Sequence, residues 1–298
     1  MTVRDQIRAL KEERDAIILA HNYQRPEIQN IADIVGDSLE LAISAKETSA
    51  AVIVLCGVDF MAETAKILNP GKTVLLPVKD ATCPMAHQLT PGMIREARAA
   101  YPDAPVVIYV NSTAECKAMA DIVCTSANAG KVVASLEAGR VLFGPDCNLA
   151  AYVQGLLPEK EIIPLPAGGH CYVHAAFTPA DLERARKRGG KIICHPECRP
   201  EIQEGSDVIA STGGMVRVAP DAEVWNVLTE REMGYRLGRL FPGKVFYIKE
   251  TAICEDMKKT TLQDLLLSLD RMQYEITLDP EVASHARVAI DRMIAIGR

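Results

Sequence analysis

Short apolar runs rich in β-branched residues alternate along this chain with longer stretches whose apolar positions recur every three to four residues. AIILA from Ala16, AVIVL from Ala51 and TVLLP from Thr73 are of the first kind and predict strands. LELAISAKE from Leu39 and FMAETAKIL from Phe60 are of the second and predict helices. Strand, helix and strand in that order read as βαβ with parallel strands, because parallel neighbours need a crossover between them.

The pattern occurs three times. Residues 17–24 read IILAHNYQ, 105–112 read PVVIYVNS and 191–198 read KIICHPEC, which aligns His21, Tyr109 and His195 at spacings of 88 and 86. A second step, GDSLELA, CTSANAG and ASTGGMV, aligns Ser38, Ser126 and Thr212. A third, VLCGVDFMAE, VLFGPDCNLA and NVLTEREMGY, aligns Gly57, Gly144 and Thr229. In the fourth, Pro70, Pro158 and Pro242 are followed after 13, 13 and 12 residues by Cys83, Cys171 and Cys254. Four landmarks repeated in order define repeated supersecondary units. The predicted fold is α/β, with three repeated αβα units whose small parallel sheets surround a pseudo-threefold axis and a central cavity. Residues 1–84, 85–172 and 173–258 are the expected units. After Cys254, TTLQDLLLSLDRM and PEVASHARVAIDRMIAIG predict two helices around a short strand, YEITL, with 259–298 packing back on the first unit.

Composition narrows the classes of function. With 298 residues and 48% hydrophobic content the chain has the means to bury sizeable cores. A net charge of −6 without basic stripes argues against a nucleic-acid partner. No apolar run reaches the roughly 18 residues of a membrane span. The opening MTVRDQIRALKEERD predicts a charged amphipathic helix rather than a secretory signal, so a cytoplasmic location is expected. In that setting the nine cysteines predict metal binding, catalysis or burial rather than disulfides.

The repeat sorts those cysteines. Cys56, Cys116 and Cys194 align with apolar residues and are expected in the core, with Cys147 in or near it. Cys124 and Cys198 fall in loops and are expected nearer the cavity. Only Cys83, Cys171 and Cys254 recur in every unit. Ligands of parallel sheets gather at the carboxyl ends of the strands, where all three lie. Three convergent thiolates without a fourth suit a soft metal centre, zinc, copper(I) or iron–sulfur, with one coordination position open.

Two further sets gather at the same ends. Residues one and three of an extended segment face the same side, which pairs His21 with Tyr23, Tyr109 with Asn111 and His195 with Glu197. These offer imidazole, phenol, amide and carboxylate groups for proton transfer and orientation. Ser38, Ser126 and Thr212 precede or open helices, where they cap the helix, bind anions, or both. With no shared Lys or Arg, carboxylate or phosphate groups would be held by amides and hydroxyls. Asp59 and Asp146 read as helix N-caps, since no acid aligns with them in the third unit.

LAHNYQ, DIVGDSL, GVDFMAET, ATCPMA, YVNST, CTSAN, FGPD, GHC, HPEC, STGGM and the late cysteine before MKK together resemble the quinolinate synthase family. The resemblance runs in order from His21 to about Lys259. It implies three αβα units around a cluster, and condensation of iminoaspartate with dihydroxyacetone phosphate to quinolinate, phosphate and water for NAD biosynthesis. It also implies a [4Fe–4S] cluster on Cys83, Cys171 and Cys254, with one iron left without a protein ligand to bind substrate. His21, Tyr23, Tyr109, Asn111, His195 and Glu197 match family active-site positions, as do Ser38, Ser126 and Thr212. Tyr23 and Glu197 are then the leading acid and base candidates, with His21, His195 and Tyr109 beside them. A coupled enzyme that supplies iminoaspartate is the expected functional partner. One departure concerns a CxxCxxC run found in some members, here broken by Ile248 and Thr251 before Cys254. An aconitase-like hydro-lyase also uses a three-cysteine cluster, but it lacks these repeats and its chain is far longer. An iron–sulfur sensor module would have no need of three matched sets of reactive groups.

Overall fold

The computed structural model of the chain describes residues 2–297. The first unit contains α1 (Val3–Glu13), β1 (Ala16–His21), α2 (Pro26–Gln29), β2 (Ile34–Gly36), α3 (Ser38–Glu47), β3 (Val52–Cys56), α4 (Asp59–Leu68) and β4 (Thr73–Leu75). The second contains α5 (Pro91–Ala100), β5 (Val106–Tyr109), α6 (Ala114–Ala118), β6 (Ile122–Cys124), α7 (Ala129–Ala134), β7 (Arg140–Gly144), α8 (Cys147–Leu156) and β8 (Glu161–Pro164). The third contains α9 (Tyr172–Ala175), α10 (Pro179–Arg188), β9 (Lys191–Cys194), α11 (Pro200–Glu204), β10 (Val208–Ile209), α12 (Thr212–Val218), β11 (Val224–Leu228), α13 (Glu232–Leu240) and β12 (Val245–Tyr247). Helices α14 (Leu262–Arg271) and α15 (Pro280–Ile296) follow.

Each unit is a four-stranded parallel sheet of one topology: β2-β1-β3-β4, β6-β5-β7-β8 and β10-β9-β11-β12. The alternation of side chains along a strand explains why three sheets share one centre. Leu19, Val107 and Ile193 enter a single large core common to all three units. Their neighbours Ile18, Val106 and Ile192 enter three separate outer cores. Each such residue, when fully buried, contributes roughly 1.5–3 kcal/mol.

A repeated polar contact joins the units in a ring. Gln29 Nε2 donates to Asn22 O and Gln24 O at 2.9 Å and reaches Glu232 O, at the start of α13, at 3.5 Å. Lys117 Nζ donates to Ser112 O at 2.5 Å and to Phe60 O, in α4, at 3.4 Å. Gln203 Nε2 donates to Cys198 O at 2.6 Å, Pro196 O at 2.8 Å and Asn148 O, in α8, at 3.1 Å. Gln29, Lys117 and Gln203 are themselves 88 and 86 residues apart. Each therefore fixes the turn after its own first strand and the start of a helix in another unit.

Two expectations need correction. YEITL forms a single antiparallel bridge, Leu75 with Glu275, rather than a strand, because its partner β4 is an edge strand of only three residues. Cys124 and Cys198 do not approach the cavity; both are buried among apolar side chains, as are Cys56, Cys116 and Cys194. Cys147 is half-buried at the first turn of α8. Helix α14 lies against α1, whereas α15 lies chiefly against α6 and β6 of the second unit and also touches α4.

Candidate active site

The carboxyl ends of β1, β5 and β9 meet at one cavity. His21, Tyr23, Tyr109, Asn111, His195 and Glu197 all line it. Ser38, Ser126 and Thr212 line the same cavity, and so do Cys83, Cys171 and Cys254. No Lys or Arg is among the described residues that line it.

The two histidines are set alike. His21 Nδ1 accepts the N–H of Tyr23 at 3.1 Å, and His195 Nδ1 accepts that of Glu197 at 3.3 Å. A ring nitrogen that accepts an amide proton leaves the other to carry the hydrogen, so both rings are Nε2–H tautomers. Burial pushes His21 down to about 3, with the nearby Lys258 ammonium adding to it. Burial likewise holds His195 at about 3 against the pull of Glu197. At neutral pH both are uncharged hydrogen-bond donors.

A chain of close polar contacts crosses the cavity wall. Tyr23 OH lies 2.6 Å from Thr229 Oγ1, which lies 2.8 Å from His174 Nε2. His174 Nδ1 is 2.7 Å from Glu197 Oε2, and Tyr109 OH donates to Glu197 Oε1 at 2.6 Å. The carboxylate fixes the polarity: His174 carries its proton on Nδ1, Thr229 donates to Nε2, and Tyr23 donates to Thr229. Burial alone would raise the Glu197 pKa; charge on the neighbouring imidazoles, when they are protonated, and the hydrogen bonds from His174 and Tyr109 lower it below the usual carboxylate range. Burial and the Glu197 charge raise both tyrosines well above their usual value.

His174 and Thr229 escaped the sequence reading. His174 stands three residues after Cys171, where the other cysteines are followed by Ala86 and Met257, so the repeat gave it no counterpart. Its ligand-type atoms and those of Cys171 and Glu197 lie within 4.8 Å of one another, which brings one thiol directly beside the carboxylate.

The hydroxyl set is not engaged in capping. Asp37 caps α3 by accepting from Glu40 N–H at 2.8 Å, and Ser211 caps α12 by accepting from Gly214 N–H at 3.1 Å. The residue before each takes the capping role because it is the last with extended backbone. Ser38 and Thr212, the first helical residues, are thus spared for the cavity, where Thr212 Oγ1 accepts from Asn22 Nδ2 at 2.9 Å. Ser126 lies before the Asn128 cap of α7 and bonds the Tyr109 side chain.

Burial raises the Cys83 and Cys171 thiols, and each is raised further by Cys254. Cys254 itself is pushed up by burial to about 11. The expectation for the acids holds only in part. Asp146 caps α8, but Asp59 is the first residue of α4 and not its cap, and each accepts the N–H of a cavity cysteine. The third unit does supply a matching acid, Glu230, which accepts the N–H of Cys254 and pairs with Lys258 at 2.8 Å.

Three αβα units closing on one cavity that gathers three thiols, histidines, tyrosines and a buried carboxylate define an α/β enzyme class with the donors for a thiolate-held metal centre. Residues 5–295 match the family model described as NadA, Quinolinate synthetase A protein, and the chain belongs to this family. It is 56% identical over 295 residues to the quinolinate synthase of Pyrococcus furiosus, covering 98% of this chain and 97% of the relative. The corresponding enzyme of Methanocaldococcus jannaschii is 50% identical over 306 residues, with 99% of each chain covered. That of Thermotoga maritima is 47% identical over 296 residues, covering 98% of this chain and 99% of the relative. The family implies an iron–sulfur cluster, and the donor set fits one. Cys83, Cys171 and Cys254 are free thiols that reach one cavity, and soft thiolates are the ligands an iron–sulfur centre selects.

Proposed function

We propose that the chain condenses iminoaspartate with dihydroxyacetone phosphate to form quinolinate, with loss of phosphate and water. Cys83, Cys171 and Cys254 would hold a [4Fe–4S] cluster, which supplies Lewis acidity at the iron that lacks a protein ligand. Proton transfer belongs to this chain's own groups. Glu197, ionised and next to the thiols, is the base. Tyr23 is the acid at the far end of the chain of contacts; when it gives its proton to substrate, the Thr229 hydroxyl turns from His174 to donate to the phenolate left behind. His21 and His195 orient substrate oxygen atoms as neutral Nε2–H donors, and Tyr109 holds Glu197. Ser38, Asn111, Ser126 and Thr212 hold carboxylate and phosphate oxygens.

The observation that carries this reading is the Tyr23–Thr229–His174–Glu197–Tyr109 chain lying beside three thiols in one cavity. The reaction is assigned to the cytoplasm, coupled to an enzyme that supplies the unstable iminoaspartate. No described helix is long and apolar enough to cross a membrane. Anaerobically purified protein should contain about four iron and about four acid-labile sulfide per chain, as one [4Fe–4S] cluster requires. Stoichiometric zinc, or no metal after reconstitution, would refute the cluster. Glu197→Ala should lower quinolinate formation by roughly 10²–10⁴-fold, the usual worth of a general base. Turnover within a few-fold of the parent would remove that role.

A further inference from the structure

The loop that carries each cavity cysteine is tied to the end of its sheet by the same two hydrogen bonds in all three units. Cys83 N–H donates to Asp59 Oδ1 at 3.2 Å, Cys171 N–H to Asp146 Oδ2 at 3.1 Å and Cys254 N–H to Glu230 Oε1 at 3.3 Å. In the other direction, Asp59 N–H donates to Ala81 O at 2.9 Å, Cys147 N–H to Gly169 O at 2.7 Å and Arg231 N–H to Ala252 O at 2.8 Å. Ala81, Gly169 and Ala252 each stand two residues before the cysteine. The acids follow β3, β7 and β11, the inner strands of their sheets, whereas the cysteines follow the edge strands β4, β8 and β12.

We propose that Asp59, Asp146 and Glu230 are positioning residues for the cluster, each fixing the backbone of one cysteine so that the three thiols converge before the cluster is bound. This rests on the cluster reading above.

Three features argue for a built device rather than a loop accident. The carboxylates are themselves anchored by different means: Asp59 Oδ2 by His87 Nε2 at 2.7 Å, Asp146 Oδ1 by Leu149 N–H at 2.7 Å and Glu230 Oε2 by Glu232 N–H at 2.8 Å. Acid and cysteine are separated by 24, 25 and 24 residues, although the third acid stands one place earlier in the repeat. The longer glutamate side chain makes up that step. At Gly169 a Cβ would lie 2.1 Å from Pro145 O, so the close approach in the second unit admits only glycine.

The test uses Asp59, Asp146 and Glu230 each replaced by alanine and, separately, by the near-isosteric Asn or Gln. The amide oxygen of Asn or Gln still accepts a hydrogen bond, whereas alanine cannot. Iron loss from the anaerobically reconstituted enzyme to a ferrous chelator is followed by the cluster absorbance. Alanine variants should lose iron roughly 10–100-fold faster, the usual cost of removing a group that orients a metal ligand. Asp59→Asn should stay near the parent rate, since its amide nitrogen can donate to His87 Nε2. In Asp146→Asn and Glu230→Gln the amide nitrogen must face the N–H of Leu149 or Glu232, so these should fall between the parent and alanine. Alanine variants that match the parent, or an Asp59→Asn variant that loses iron as fast as Asp59→Ala, would overturn the proposal. Amide hydrogen exchange of the cluster-free parent stands apart from any folding defect in a variant. The amides of Cys83, Cys171 and Cys254 should be protected, and exchange as fast as in open loops would overturn the proposal. A parent that takes up no iron and sulfide, while keeping those amides protected, would refute the cluster reading rather than the clamp.

Discussion

Thr229→Val tests whether the contacts between Tyr23 and Glu197 serve proton transfer or whether the chain is only a scaffold. Valine keeps the branched shape and removes one oxygen. Tyr23 OH, 2.6 Å away, and His174 Nε2, 2.8 Å away, then lose their shared partner, and all three residues are buried. Two buried polar groups left unpaired would cost about 2–6 kcal/mol at about 1–3 kcal/mol each. Tyr23 OH already lies 3.4 Å from His174 Nε2, so a small movement re-pairs them and reduces the expected loss to about 1–2 kcal/mol. That movement draws the imidazole away from Glu197, to which Nδ1 is held at 2.7 Å. Turnover should fall by roughly 10²-fold, the lower range for general acid–base groups, or about 2.7 kcal/mol in the barrier. Thr229→Ser keeps the oxygen and should stay within a few-fold of the parent. Urea unfolding measures the first quantity, and anaerobic quinolinate formation with dihydroxyacetone phosphate the second. A valine variant that loses stability but turns over like the parent would show that the chain holds the cavity wall and does not serve proton transfer.

Gln203→Leu keeps volume but strips the donors from three carbonyls, including Pro196 O and Cys198 O on either side of Glu197. Unfolding free energy should drop by about 2–4 kcal/mol, and a change under half that in urea titration contradicts the ring of interunit contacts. Ser126→Ala and Thr212→Val should each raise KM by roughly 10-fold, the worth of a hydrogen bond to a charged group, with a smaller effect on kcat. The reverse split would move these hydroxyls from binding to chemistry. His21 and His195, held at about 3 in the folded chain, bind fewer protons folded than unfolded at any pH between there and about 6.5. Their stabilisation is complete above about 6.5 and is lost as pH falls, by up to about 1.4 kcal/mol per unit for each ring. Urea unfolding of the cluster-free protein at pH 7 and pH 5 measures this, and equal stability at both would refute the neutral assignment.

Much of this was legible because duplication leaves equivalent residues in register. His21, Tyr109 and His195, the hydroxyl set and the three cysteines all fall on aligned steps, and each set lies at or beyond the carboxyl end of equivalent strands. What escaped was what breaks register. Glu230 sits one place before the position matching Asp59 and Asp146, and only its longer side chain restores the contact. An alignment records where the backbone stands, not how far a side chain reaches. Thr229 was visible only as the third unit's counterpart of Gly57 and Gly144, where a hydroxyl had no evident use. The interunit staples were hidden for another reason: Gln29, Lys117 and Gln203 align, but a lysine among glutamines reads as a surface charge until its burial is seen. Burial lowers Lys117 to about 8, and its donor role is the same as that of the amides.

Those failures share a physical origin, since the molecule divides its labour between what repeats and what does not. The parts that repeat hold things in place: the sheets, the Gln29–Lys117–Gln203 ring, the clamped cysteine loops. The proposed centre, held by three equivalent thiols, has use for equivalent supports. The reaction has no such symmetry. Two unlike substrates must be joined in one orientation, and a proton chain must have a donor end and an acceptor end. Histidine, tyrosine and histidine at the three strand ends, with tyrosine, asparagine and glutamate two residues on, give each unit a different chemical face. His174 completes the asymmetry, because the second cysteine loop alone turns an imidazole inward to Glu197, whereas the residues at the same offset in the other two loops are Ala86 and Met257. The repeat therefore marks where the cavity is, and departures from the repeat mark where its chemistry acquires direction.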